Sequence, residues 1–226
     1  MEKLCNKIAN KIAIELDFDN DKKEVLAYGA FALFQMLISI VLVLLFGLIF
    51  KVAVEALIIS FIVSILRKYS GGVHASSPSA CMFVGTILCV AQAIVIKSFL
   101  SSQINTKLLL ISGVLIFIWS YYILFKLAPV DSPNKPIKRE EKRRRMKKGS
   151  ITILSIYLIF VFIDIIIFHY FGGNRLIIYA ICIYAGILWQ TFTLTKFGFV
   201  TITNIDTLFM YLFNLKRRRK PNEKIN

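Results

Sequence analysis

The chain alternates between long apolar runs and short polar interruptions, and only its first element departs from that plan. Residues 1–17, MEKLCNKIANKIAIELD, place Leu4, Ile8, Ile12 and Leu16 four apart, with Cys5, Ala9 and Ala13 beside them. Lys3, Lys7, Asn10 and Lys11 fall on the other side. This spacing predicts an amphipathic helix whose basic face suits an anionic membrane surface. From there on the two-sided pattern disappears. Apolar runs cover 25–50, 52–66, 82–96, 108–125, 151–171 and 176–194. A helix of ~20 apolar residues crosses the ~30 Å hydrocarbon core of a bilayer. The second and third runs are shorter and reach only about 22 Å at ~1.5 Å per residue unless they extend into their flanks. The pattern predicts an all-α, polytopic membrane protein with about six transmembrane helices, forming a single integral membrane domain over 1–226. A basic loop at 126–150 and a basic tail at 195–226 complete it.

Composition sharpens this reading. The 226 residues are 57% hydrophobic and only 18% charged, yet the formal charge is +15. Soluble domains are close to half apolar and about a quarter charged. Bunched cations on so apolar a chain fit basic loops between spans and exclude a nucleic-acid-binding face. No cleavable leader is expected, because the first long apolar run follows a charged 24-residue segment. With six crossings, the pieces 1–24, 67–81, 126–150 and 195–226 hold 24 of the 28 Lys and Arg residues. The opposite side holds Lys51, Lys97, Lys107 and Arg175. Positive charge marks the cytoplasmic side, so both termini and the 67–81 interruption are expected inside a cell membrane. The four cysteines, Cys5, Cys81, Cys89 and Cys182, have no paired spacing, and no disulfide framework is expected.

Little reactive chemistry remains. Glu55 near the outer end of the second run, Asp164 within the fifth and His169 near its end are the ionisable groups among the spans. An intramembrane carboxylate demands a partner, so Asp164 and Glu55 support an alternative reading as a small membrane transporter or peptide exporter. No metal site or cofactor is expected, because the two histidines and Cys81 lack the ligand spacing zinc requires. The interruption RKYSGGVHASSPSACM, residues 67–82, is richer. Ser77 followed by Pro78 reads as the N-cap and first position of a helix. Cys81 then ends its first turn, where amide groups and the helix dipole favour a thiolate. Gly71 and Gly72 allow a sharp turn that brings His74 back toward the sulfur. Such a pair suits acyl transfer, with Cys81 as nucleophile and His74 as acid and base. Ser76, Ser77, Ser79 or a backbone carbonyl would orient the imidazole.

The run Arg67-Lys68-Tyr69-Ser70-Gly71-Gly72-Val73-His74, with Cys81 after six intervening residues, resembles the accessory gene regulator B (AgrB) family of quorum-sensing membrane endopeptidases. Ala128-Pro129, then Lys135-Pro136-Ile137 and a basic run, is a second match. The resemblance implies a Gram-positive bacterial cysteine endopeptidase that cuts an AgrD-like propeptide through a Cys81 thioester. A Cys or Ser of the peptide then closes a thiolactone or lactone ring. It also implies support of the site by Arg67 and Gly72, and a possible homodimer. The loop residues Lys138, Arg139, Arg143, Arg144, Arg145, Lys147 and Lys148 would meet an acidic tail of the substrate, besides resting on membrane lipid. An epitope tag inserted in the 126–150 loop should be accessible from the cytoplasm alone. Labelling it from outside intact cells would overturn the orientation.

Overall fold

A computed structural model describes residues 2–73, 77–100, 106–131, 137 and 139–212. Its helices are α1 (Glu2–Glu15), α2 (Asn20–Ile49), α3 (Ala53–Ser70), α4 (Pro78–Val95), α5 (Thr106–Leu127), α6 (Glu140–Phe171), α7 (Asn174–Phe192) and α8 (Lys196–Leu212). A π-helical turn, Ile96–Leu100, continues α4. Among the described residues there is no β-strand, only an isolated bridge. The chain divides into two compact units, residues 1–42 and 43–226, with the boundary inside α2.

In the first unit, α1 buries Cys5, Ala9 and Ala13 and exposes Leu4 and Ile14, as the turn after it exposes Leu16. The small residues, not the aliphatic row, are the packed side of this helix. That leaves large apolar side chains free for a lipid surface. Asp19 starts α2 by accepting from the Lys22 amide at 2.8 Å, the bond expected of an N-cap.

The second unit is built around α3 and α7. Ala56, Ile59 and Leu66 of α3 and Ala180 and Ile187 of α7 are fully buried. The helices pack closely because Gly186 carries no side chain: a Cβ there would lie 2.7 Å from Ile62 Cγ2. Small residues serve this purpose in membrane helix pairs, where apolar burial drives little. The α6 helix packs against α3 in the opposite direction. Its Gly149 meets the Tyr69 ring, and Tyr157 donates to the Ile62 carbonyl at 3.1 Å. The lipid-facing sides of α2, α5 and α6 expose large apolar residues, among them Leu48, Phe125 and Phe162, as expected where the solvent is hydrocarbon.

Among the described residues, five helices are long and apolar enough to cross a membrane: Asn20–Ile49, Pro78–Ser98, Thr106–Leu127, Glu140–Phe171 and Arg175–Phe192. The run expected at 52–66 becomes α3, which carries Glu55, Arg67 and Lys68 and is the exception. Its extension to Ser70 gives 18 residues, about 27 Å of helix. Three further differences matter for function. The basic run at 140–148 is helical and continuous with the fifth run, with Arg139 as the extended residue before it. Its helix α6 has 32 residues, about 48 Å, so its cationic first turns extend past a ~30 Å core. The interhelical connection shrinks to 128–139 accordingly. Finally, residues 196–212, expected within a basic tail, form α8, which packs against α4.

Gly186→Leu should force α3 and α7 apart and cost about 1–3 kcal/mol. Gly85→Ala, where nothing lies within 4 Å of an added Cβ, should not. Thermal unfolding in detergent distinguishes the two. Equal midpoints would show that the α3–α7 contact is not close-packed.

Candidate active site

The polar interruption is two pieces of structure joined by three residues. The first piece is the end of α3. The Gly71 amide donates to the Arg67 carbonyl at 2.9 Å, closing the last turn. Gly71 then turns left-handed, with φ of 70°, and Gly72 follows at φ of 135°. Both require glycine. Val130, just after α5, donates to the Ser70 carbonyl at 2.9 Å and forms a parallel bridge with Gly71. The approach is so close that a Cβ on Gly71 would lie 2.1 Å from the Val130 oxygen.

The other wall of the turn is the end of α7. Gln190, fully buried, donates through Nε2 to Ser70 Oγ at 3.0 Å and to the Gly71 carbonyl at 2.8 Å. A Cβ on Gly72 would sit 3.2 Å from Thr193 Oγ1. Arg67 donates its guanidinium to the Val73 carbonyl, pinning the strand that leads into His74. Among the described residues, two buried polar atoms beside this turn, Arg67 Nε and Gln190 Oε1, have no hydrogen-bond partner. The bonds these side chains do make, from Arg67 to the Val73 carbonyl and from Gln190 to Ser70 and Gly71, hold them in place.

The second piece is the start of α4. Ser77 is its N-cap: Ser77 Oγ accepts from the Ala80 amide at 3.1 Å, with Pro78 at the first helical position. The Cys81 amide donates to the Ser77 carbonyl at 3.0 Å, so the thiol stands at the end of the first turn. Cys81 is half-buried and free, whereas Cys5, Cys89 and Cys182 are buried. Ser79 is exposed.

Of the residues singled out from the sequence, Arg67, Gly71 and Gly72 come together at one turn, and Ser77 and Cys81 at one helix start. His74, Ser76 and Lys138 lie outside the described residues. Arg139, Arg143, Arg144, Arg145, Lys147 and Lys148 share the first turns of α6, where several already have partners. Arg143 is ion-paired with Asp131 at 2.7 Å and Arg144 with Glu140 at 3.5 Å. Lys147 lies 4.3 Å from the centre of the Phe125 ring, while Arg145 and Lys148 are exposed. Glu55 is buried near the start of α3. Its buried carboxylate pairs with Lys97 at 3.0 Å, and Lys97 also donates to the Lys51 carbonyl at 2.6 Å. Sequence reasoning passed over Gln190, Thr193 and Val130. The signal for Gln190 was present, since a lone carboxamide in an apolar run is costly unless bonded.

These features define a polytopic helical membrane protein with a glycine turn and a capped thiol at one end of its helices. The family model for Accessory gene regulator B matches residues 5–194, and the chain belongs to that family. It is 44% identical over 207 residues to an AgrB-like protein of Clostridium perfringens (strain 13 / Type A), covering 92% of this chain and 97% of that one. A second AgrB-like protein, from C. perfringens (strain SM101 / Type A), is 42% identical over the same shares. No solved structure matches the chain. Membership gives a multi-pass membrane protein a role in the accessory gene regulator quorum-sensing system, a family that acts with an AgrD propeptide and is linked to its processing.

Replacing Gln190 with Met keeps the volume and removes both of its bonds to the turn, leaving the Gly71 carbonyl only the long 3.4 Å bond from Ser70 Oγ. The expected cost is about 1–3 kcal/mol, read as an earlier unfolding transition in detergent. An unchanged transition would mean that the carboxamide does not hold the turn.

Proposed function

We propose that the protein is a membrane cysteine endopeptidase that cleaves an AgrD-like propeptide and passes its acyl group to a side chain of the same peptide. The observation that carries this reading is Cys81 itself, a half-buried free thiol one turn into the Ser77-capped start of α4. His74 belongs to the same short segment, one peptide bond after Val73, whose carbonyl Arg67 holds.

In the proposed reaction the Cys81 thiolate attacks the scissile carbonyl, and the developing oxyanion takes hydrogen bonds from free backbone amides of the segment. His74, protonated, gives its proton to the departing amine, leaving a Cys81 thioester. A Cys or Ser side chain of the bound peptide, deprotonated by His74, then attacks the thioester. The bond between the acyl carbon and Cys81 Sγ breaks, Cys81 leaves as the thiolate beside protonated His74, and the ring is released as thiolactone or lactone. Exclusion of water protects the thioester until that second attack. The segment lies on the cytoplasmic side in this reading, and the exposed cations at the start of α6 attract an acidic substrate tail.

Co-expression of the full-length protein with an AgrD-like propeptide tests the assignment. Cys81→Ala and His74→Ala should each abolish cleavage while the protein still accumulates in the membrane. Cleavage that survives both changes would rule out the dyad. If Asp164→Asn instead abolished export of a peptide that is still cleaved, a transport role would be favoured.

A further inference from the structure

The helix α8 exposes an apolar face. Gly198, Ile202, Asp206 and Met210 are buried along one side of it, four residues apart. On the opposite side stand Phe197, Val200, Leu208 and Tyr211, each more than half exposed. At 3.6 residues per turn these four share a stripe about 80° wide, directly across from the buried row. Asn204, also exposed, lies in the middle of the stripe.

Two contacts fix how α8 lies. Near its start, a Cβ on Gly198 would sit 2.8 Å from Thr193 Cα, and Thr193 stands beside Gly72. The start of α8 is therefore level with the glycine turn. Near its end, Phe209 stacks on Phe83 of α4, with ring centres 6.2 Å apart. The level of Phe83 follows from the α3–α4 pair. Ser60 of α3 hydrogen-bonds Cys89 of α4, so these two share a level. The pair is antiparallel: in the parallel sense Ser70 and Pro78 would be about 31 Å apart, more than eight residues can reach. From the shared level Ser70 lies ten residues toward the turn, about 15 Å, and Phe83 lies six residues the same way, about 9 Å. Phe83 is thus about 6 Å short of the turn. Between Gly198 and Phe209, however, α8 advances eleven residues, about 17 Å. A change of level of about 6 Å over that length inclines it by roughly 70° to the axes of α3 and α4.

The level of the turn is marked by cations and rings. Arg67 and Lys68 end α3, and Lys126, 5.5 Å from the centre of the Tyr122 ring, ends α5. Such residues gather where membrane meets water. Length agrees, since the 17 residues of α8 make about 26 Å of helix, short of a ~30 Å core. A crossing helix would also carry Asn204, the middle residue of α8, to the centre of the hydrocarbon, whereas in the interface its carboxamide keeps water. The stripe adjoins surface of lipid-facing character, since Phe83 and Ile87 of α4 are exposed beside Phe209.

We infer that α8 is a membrane-surface helix whose Phe197, Val200, Leu208 and Tyr211 dock into the headgroup–acyl boundary of the leaflet on the side of the glycine turn. Helices of this kind sit about 5–10 Å into that boundary, which matches the depth set by Phe83. The partner of this face is a lipid surface, and through α8 the start of α4 is held at the interface. The inference does not depend on the chemistry proposed for Cys81.

Spin-label depth measurements test it. Full-length protein carrying Cys81→Ala is reconstituted in vesicles of phosphatidylcholine and phosphatidylglycerol. A nitroxide is attached in turn at Phe197→Cys, Val200→Cys, Leu208→Cys and Tyr211→Cys, all on the exposed face, so that the buried row is untouched. The parent without these changes corrects for label taken up by Cys5, Cys89 and Cys182, and Ile87→Cys on α4 supplies a deeper reference. Power saturation with oxygen and a nickel chelate then gives each depth. The four labels are expected within about 7 Å of one another in depth, and shallower than the label at 87. A steady change of about 21 Å from 197 to 211 would mean that α8 crosses the bilayer, and would overturn the inference. Exposure of all four to the nickel chelate as in water would overturn it too, because the stripe would then lie outside the lipid. So would dipolar broadening that vanishes on dilution with unlabelled protein, which would assign the face to a second copy of the chain.

Discussion

The buried backbone of the Ser70–Gly72 turn is the constraint around which the second unit is arranged. Three helices and one strand-like segment meet there because its polar groups cannot be left to the surroundings. In hydrocarbon, irregular backbone survives only where protein satisfies it. The Ser70 carbonyl takes the Val130 amide, and the Gly71 carbonyl takes the Gln190 carboxamide. The Gly71 amide closes back on Arg67. Each bond recruits a different part of the chain, so the turn ties α3 to the end of α5 and to α7. The absence of side chains at 71 and 72 is the steric half of the same constraint, since Val130 and Thr193 occupy the space a Cβ would need.

The helix register follows from that anchor. With α3 and α6 running in opposite directions, Gly149 meets Tyr69 and Tyr157 meets Ile62. Continuing two turns in the same sense brings Asp164 level with Glu55. Polar groups thus cluster toward the two ends of the α3–α6 pair, with the Glu55–Lys97 ion pair at one end and the glycine turn at the other. The apolar middle is closed by contacts such as Gly186 on Ile62. Such a partition keeps the costly groups near ends where they can find partners.

Much of this was legible from residues alone, and what was missed has a physical reason. Ser77-Pro78 announced the start of α4 because capping chemistry is local. Gly71-Gly72 announced a turn for the same reason. The partners of that turn were not legible, because Val130, Gln190 and Thr193 are brought to it only by tertiary packing. The basic run of α6 was read as part of a loop, since its cations carry no apolar period. α8 was hidden by the basic residues that follow it, which drew 195–226 into one tail. The Ala128-Pro129 match gains a structural meaning, since it leads directly into Val130 and the bridge to Gly71.

The division of the segment into two separately held pieces bears on the chemistry proposed for it. Acyl transfer with ring closure asks one thiol to be a nucleophile and then a leaving group, so the base must serve it twice without shifting. Val73 is fixed from α3 through Arg67, and Cys81 is fixed through the cap of α4. Neither anchor depends on the other, and only residues 74–76 join them. The segment is thus held at Val73 and at Cys81 by helices, with α8 packed on the thiol-bearing one. A segment held this way owes the placing of its two described ends to helix packing, α3 supplying one and α4 the other.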